Sequence, residues 1–276
     1  MRMAIDYEKL KKIACDIRVD IIKATYHAAS GHPGGSLSAA DIMTILYFHE
    51  MNIDPANPKK EGRDKFVLSK GHASPVLYAT LAHRGFFPKE ELVTFRKLGS
   101  NLQGHPDMKK VRGVEMSTGS LGQGFSASIG MALANKLDQT PARVYAMLGD
   151  GELQEGIIWE AAMAAAHYKL DNLVAIIDWN GLQIDGKNDE VMTVTPIDDK
   201  FRSFGFHVIE IDGHNMEEIV NALAEARETK GKPTAIVAKT SKGKGVCFME
   251  NNAGWHGKAP NDDEAKNAVT ELGGEW

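Results

Sequence analysis

The stretch Val144-Tyr145-Ala146-Met147-Leu148-Gly149-Asp150-Gly151 decides the fold. Its run of apolar and aromatic residues lacks helical periodicity and suits a strand buried on both faces. The glycine-flanked aspartate then ends it. A helical pattern follows over residues 157–168, and a second apolar run, residues 173–177, leads to Asn180. Further strand-like runs lie at 208–211 and 235–238, with helical patterns at 121–137 and 216–229. Strands alternating with helices predict an α/β fold, a doubly wound, mostly parallel sheet flanked by helices.

Toward the N-terminus, Leu10, Ile13, Ile17, Ile21 and Ala24 recur at helical spacing, predicting a long amphipathic helix between Asp6 and Ala29. Ser30-Gly31-His32-Pro33-Gly34-Gly35 breaks it, and Ser38 is expected to cap a second helix. Phe66-Val67-Leu68 is a short apolar run, and Ser74-Pro75 reads as a cap followed by proline at the first helical position. The polar tail from Asn261 is expected to form a short terminal helix. With no repeat, low-complexity tract or linker, residues 1–276 are expected to form one domain.

Composition narrows the function classes. The 276 residues are 43% hydrophobic and 25% charged, enough for a sizeable core. A net charge of −5 offers no basic footprint for nucleic acid or an anionic membrane. Any phosphate must therefore be captured locally. The two cysteines, Cys15 and Cys247, are far apart and outside CxxC spacing. A disulfide framework or thiolate zinc site is not expected, and a reducing cytoplasm fits. No apolar signal core follows Met1, and no segment reaches membrane-spanning length.

The chemistry gathers at strand ends. In a parallel sheet, Asp150 and Asn180 follow strands whose carboxyl edges lie side by side, where open α/β folds bind ligands. Carboxylate and amide oxygens suit Mg2+, which completes its octahedral shell with phosphate oxygens. The adjoining glycines admit a phosphate, and the next helix's amino end favours an anion. His32, His72, His105 and His256 sit beside glycines in predicted loops, and neutral imidazoles there can donate hydrogen bonds and move protons. A solvated surface histidine is the plainer reading of each one taken singly.

GDGELQEG (149–156), EAA and LDNLVAIIDWNGLQIDG (170–186) resemble the thiamine diphosphate motif of the transketolase family. SGHPGG at Ser30, SKGHA at Ser69, GHPD at Gly104, TGSLGQG at Thr118 and HG at His256 follow the family's order, so the resemblance covers nearly the whole chain. It implies thiamine diphosphate and Mg2+, or Ca2+ or Mn2+ in its place. The implied metal ligands are the Asp150 and Asn180 side chains and the Leu182 carbonyl. Gly151 would contact the diphosphate and Ile184 the thiazolium. His32, His72 and His256 would face the substrate carbonyl region or the diphosphate, and His105 a donor hydroxyl. Gly119, Ser120 and Leu121 would border the cofactor, with Leu121 near its aminopyrimidine. Glu155 and Glu160 match family acids near the subunit interface, against the plainer reading as acids of a first helical turn. Lys242, in Ser-Lys-Gly-Lys-Gly with Lys244, would reach a phosphate, unless the segment is an ordinary solvated turn.

Two departures are local. Ser120 stands where the family usually has proline, and Ser36-Leu37-Ser38 replaces a familiar Pro-Leu-Gly. In this family the glutamate that activates the cofactor lies on a pyrimidine domain, which has no counterpart in these 276 residues. The resemblance therefore implies the N-terminal subunit of a transketolase, with sugar phosphates as substrates. A C-terminal subunit carrying the pyrimidine domain would complete it, in an α2β2 assembly. Rival expectations are the α-subunit of a 2-oxo-acid dehydrogenase, a deoxyxylulose-phosphate synthase fragment, and a non-catalytic thiamine diphosphate-binding or regulatory module.

Overall fold

A computed structural model describes residues 5–276; the signal-free start read at Met1–Ala4 lies outside the described residues. Five parallel strands form the central sheet in the order β1-β2-β3-β7-β6. They are β1 (Lys65–Leu68), β2 (Val144–Gly149), β3 (Leu173–Trp179), β6 (His207–Asp212) and β7 (Thr234–Lys239). Between β3 and β6 a two-stranded hairpin, β4 (Leu182–Gln183) with β5 (Gly186–Lys187), follows the carboxyl end of β3 and leads into the short helix α6 (Asn188–Val191).

Side-chain alternation explains why the central strands read as unbroken apolar runs. Tyr145 and Met147 of β2, Val174 and Ile176 of β3, and Ile236 of β7 enter one core. That core also takes the buried faces of α1 (Tyr7–Ala28), α2 (Pro33–Ile45), α3 (Ser74–Arg84), α8 (Met216–Glu228) and α9 (Asp262–Glu271). Val144, Ala146, Leu148, Leu173, Ala175, Ile177 and Val237 face the opposite core, built with α4 (Gln123–Leu137), α5 (Gly156–His167) and α7 (Ile197–Ser203). Both sheet faces are covered, so neither strand face tolerates a polar stripe. The expected doubly covered α/β sheet is observed, and all five of its strands are parallel.

Three expected boundaries move. Ser38 does not cap the second helix: α2 begins at Pro33, with His32 at the cap position. Gly34 and Gly35 look like breakers in sequence, but Gly34 is needed for close approach. A Cβ there would lie 2.7 Å from the Trp255 carbonyl oxygen. α3 begins at Ser74 itself, with Ala73 as its cap residue. α4 begins at Gln123 rather than 121, because Gly122 takes a left-handed φ of +80°. The terminal helix forms, and a reciprocal capping box between Asn261 and Glu264 fixes its start.

Candidate active site

β2, β3 and β7 are neighbours, so the turns leaving their carboxyl ends converge on one cavity of about 280 Å3. The turn after β2 supplies Asp150, only 2% exposed. Its Oδ1 accepts the Gly151 N–H at 2.8 Å and its Oδ2 the Gly181 N–H at 2.6 Å. The turn after β3 supplies Asn180, whose Oδ1 accepts the Leu182 N–H at 3.2 Å. The segment after β7 brings buried Lys242, whose Nζ donates to the Leu182 carbonyl at 3.3 Å.

Burial, and then the charge of Asp178, push Asp150 up to about 6. Burial, and then the Lys70 ammonium, bring Lys242 down to about 8. A cation beside Asp150 would offset the cost of its buried negative charge. Carboxylate, amide and carbonyl oxygens are the donors that Mg2+ prefers. Such a donor set suits a hard ion that draws further oxygens from a ligand.

Of the residues expected from sequence, Gly119, Leu121, Gly151, Glu155, Ile184 and Lys242 line this cavity. So do His72 and His256, with Asp150, Asn180 and Leu182. Ser120 and Glu160 are exposed and outside its lining, as is His105. His105 still packs under the same loop, since a Cβ on Gly119 would lie 2.8 Å from its ring. Lys244 is turned away, 3.6 Å from Glu250.

His32, His72 and His256 come from three separate loops and form one ring cluster. His72 and His256 stack with centroids 5.1 Å apart, and His32 meets each of them edge-on at 5.4 Å. Burial, followed by nearby cations, lowers all three. His32 falls to about 4, with Arg96 the leading charge, and His256 to about 3, with Lys242 the leading charge. His72 lies well below its ordinary value through burial and then Lys70. The cluster is therefore neutral near pH 7 and able to donate and accept.

The structure adds several partners of the site to the residues expected from the sequence. Lys70, of the SKGHA stretch, is 2% exposed and lines the cavity. Its Nζ donates to the Gly35 carbonyl at 2.7 Å and pairs with Asp178, which also accepts from Ser38 at 2.6 Å and from Thr240. Burial opposes the charge on Asp178, but the Lys70 ammonium and these hydrogen bonds hold it below the ordinary carboxylate range. In the sequence it lies within the 170–186 motif, an aspartate at the end of an apolar run. Glu152 accepts from Ser69 at 2.5 Å, Gly122 N–H at 2.8 Å and Gly149 N–H at 3.0 Å, tying three loops together. Arg96, at a left-handed φ of +59°, donates to Ser30 at 2.8 Å and faces His32 Nδ1 at 3.4 Å. No sequence periodicity marks it.

Residues 9–275 match the family model described as transketolase, thiamine diphosphate binding domain. A 6-deoxy-6-sulfo-D-fructose transketolase subunit from a Clostridium species is 50% identical over 242 residues, covering 88% of each chain. An apulose-4-phosphate transketolase subunit from Phocaeicola vulgatus is 44% identical over 255 residues, covering 92% of this chain and 90% of that one. Mouse transketolase is 45% identical over 269 residues, covering 96% of this chain and 42% of that one. Among solved structures, transketolase from Campylobacter jejuni superposes with a TM-score of 0.92 at 36% identity, covering 99% of this chain and 44% of that one. The chain thus spans less than half the length of the solved transketolases it matches.

Proposed function

The chain belongs to the transketolase family and carries its thiamine diphosphate binding domain, and from that premise we propose that it is the N-terminal subunit of a split transketolase. Its match over most of the length of two relatives named as subunits supports this. The quoted relatives are transketolases or transketolase subunits, which disfavours the α-subunit of another thiamine enzyme and a non-catalytic module. We assign the chain one cofactor-binding domain over residues 1–276, with the pyrimidine and C-terminal domains on a partner chain in an α2β2 assembly. A cytoplasmic setting fits the two free cysteines, and no helix among the described residues is long and apolar enough to cross a membrane.

The convergence of Asp150, Asn180, Leu182 and Lys242 from three adjacent strand ends on one cavity carries the reading. Asp150, Asn180 and the Leu182 carbonyl would hold Mg2+, with Ca2+ or Mn2+ as substitutes. Gly151 and Lys242 would hold the diphosphate. Leu121 and Ile184 give the apolar wall for the rings. Thiamine diphosphate, when bound, supplies the electron sink for the two-carbon ketol unit. The neutral rings of His32, His72 and His256 donate to sugar oxygens and move protons, with His105 toward a donor hydroxyl. Glu155, at the cavity rim, and the exposed Glu160 on the helix that follows would face the partner subunit.

The substrates are proposed as a ketose donor and an aldose acceptor, each with a terminal anionic group. Relatives named for a sulfonated and a phosphorylated ketose favour a dedicated donor over xylulose 5-phosphate. The test is ketol transfer to ribose 5-phosphate from a panel of such donors, with Mg2+ and thiamine diphosphate. The chain is assayed alone and with its partner subunit. Transfer only in the mixture is expected; turnover by the chain alone would overturn the split-enzyme reading.

A further inference from the structure

Beneath the segment that carries Lys242 lies a buried polar chain outside the cavity lining. Arg18 on α1 grips Asp41 on α2 through two bonds, Nη1 to Oδ1 at 3.0 Å and Nη2 to Oδ2 at 2.6 Å. Asp41 Oδ2 also meets His214 Nδ1 at 2.8 Å, and His214 Nε2 accepts the Ser241 backbone N–H at 2.8 Å. The Arg18, Asp41 and His214 side chains are 6%, 9% and 14% exposed.

The tautomer follows from donors alone. A backbone N–H can only donate, so Nε2 presents a lone pair and the ring proton sits on Nδ1, facing the Asp41 carboxylate. A carboxylate that orients an imidazole in this way fixes what the far nitrogen can do. Here the far nitrogen holds the residue immediately before Lys242. The same segment is pinned on its other side, where Gly243 N–H donates to the Gly34 carbonyl at 3.0 Å.

We propose that His214, held by Asp41 and Arg18, is a positioning residue that sets Lys242 over the cofactor cavity. The inference rests on the assignment of Lys242 to the diphosphate. Removing the Ser241 bond should let the 240–245 segment drift and lower cofactor affinity, while leaving the reacting groups intact.

The test compares His214→Leu, which lacks the acceptor, with His214→Gln, whose amide oxygen can still take the Ser241 N–H. Lys242→Met is the control for the underlying assignment. Hydrogen exchange on the full chain without cofactor reads the Ser241 amide directly. Calorimetry with thiamine diphosphate and Mg2+, on the chain reconstituted with its partner subunit, reads affinity. Faster Ser241 exchange and about 10- to 100-fold weaker binding are expected for His214→Leu, with most of both restored in His214→Gln. Weak binding in Lys242→Met but not in a folded His214→Leu overturns the positioning role alone. Unchanged binding in Lys242→Met overturns the Lys242 assignment and the inference with it. Should His214→Leu fail to fold, a His214→Gln protein with unprotected Ser241 and undiminished cofactor affinity overturns the inference just as directly.

Discussion

The Oδ2 atom of Asp150 accepts the backbone N–H of Gly181 at 2.6 Å, joining the turn after β2 to the turn after β3. One buried carboxylate therefore both shapes the cavity floor and offers its charge to it. Its other oxygen is taken by the Gly151 N–H, so both oxygens are fixed before any ligand arrives.

Asp150→Asn separates these two duties. The amide keeps one acceptor for two backbone donors and loses the charge. Binding at a hundredfold excess over Kd stabilises a folded protein by about 2.7 kcal/mol. That thermal shift, measured with thiamine diphosphate and Mg2+ on the reconstituted complex, should vanish in Asp150→Asn. The unliganded melting temperature falls as well, because one buried N–H loses its acceptor, so the shift is taken from the variant's own unliganded value. A full ligand-induced shift in the variant would rule out Asp150 as a metal ligand.

Glu152→Gln tests the loop clamp. The native carboxylate takes three donors in a site that is 2% exposed. A glutamine must turn an N–H2 toward one of them, leaving a buried donor unpaired. The expected loss is about 2 kcal/mol of folding stability, read by denaturant unfolding. Wild-type stability would show that the three loops are held by other contacts.

The histidine cluster makes a pH prediction. Burial and neighbouring cations hold His32 at about 4 and His256 at about 3, below the ordinary value near 6.5. The unfolded chain thus binds more protons than the folded one between those values. Stability from these groups is present above about pH 6.5 and is lost as pH falls toward the folded values. Imidazole NMR signals of both residues should stay in the neutral position at pH 5.5. A titration midpoint near 6.5 for either would contradict the buried, neutral cluster.

Arg96→Met should raise the His32 midpoint toward its ordinary value, because the guanidinium is the leading charge acting on that ring. It should also free Ser30, which accepts from Arg96 at 2.8 Å. The same NMR titration reads the change, and an unmoved His32 would show that burial alone lowers it.

Part of the site is legible in the sequence because its signals are local. Asp150 and Asn180 each follow an apolar run, so strand direction alone places both at the carboxyl edge. Ser38 reads as a cap in sequence because the Gly34-Gly35 pair imitates a break. Those glycines instead admit Trp255, Lys242 and Lys70, which lie far along the chain. Ser38 sits inside α2 and reaches Asp178. Ser120 and Glu160 carry motif positions but fall outside the cavity lining, since a motif fixes neighbours in sequence and not the direction of a side chain.

By itself the sequence determined the strands, the helices on both sheet faces and the family, because apolar periodicity and ordered motifs are properties of short segments. Tertiary structure alone decided that β7 slots between β3 and β6, and so brings Lys242 beside Asp150 and Leu182. It likewise decided the stacking of His72 on His256, the Lys70–Asp178 pair and the link from Arg18 to Ser241. Each of these depends on distant loops meeting across a folded core. Burial then gives the charges an environment that no local pattern encodes.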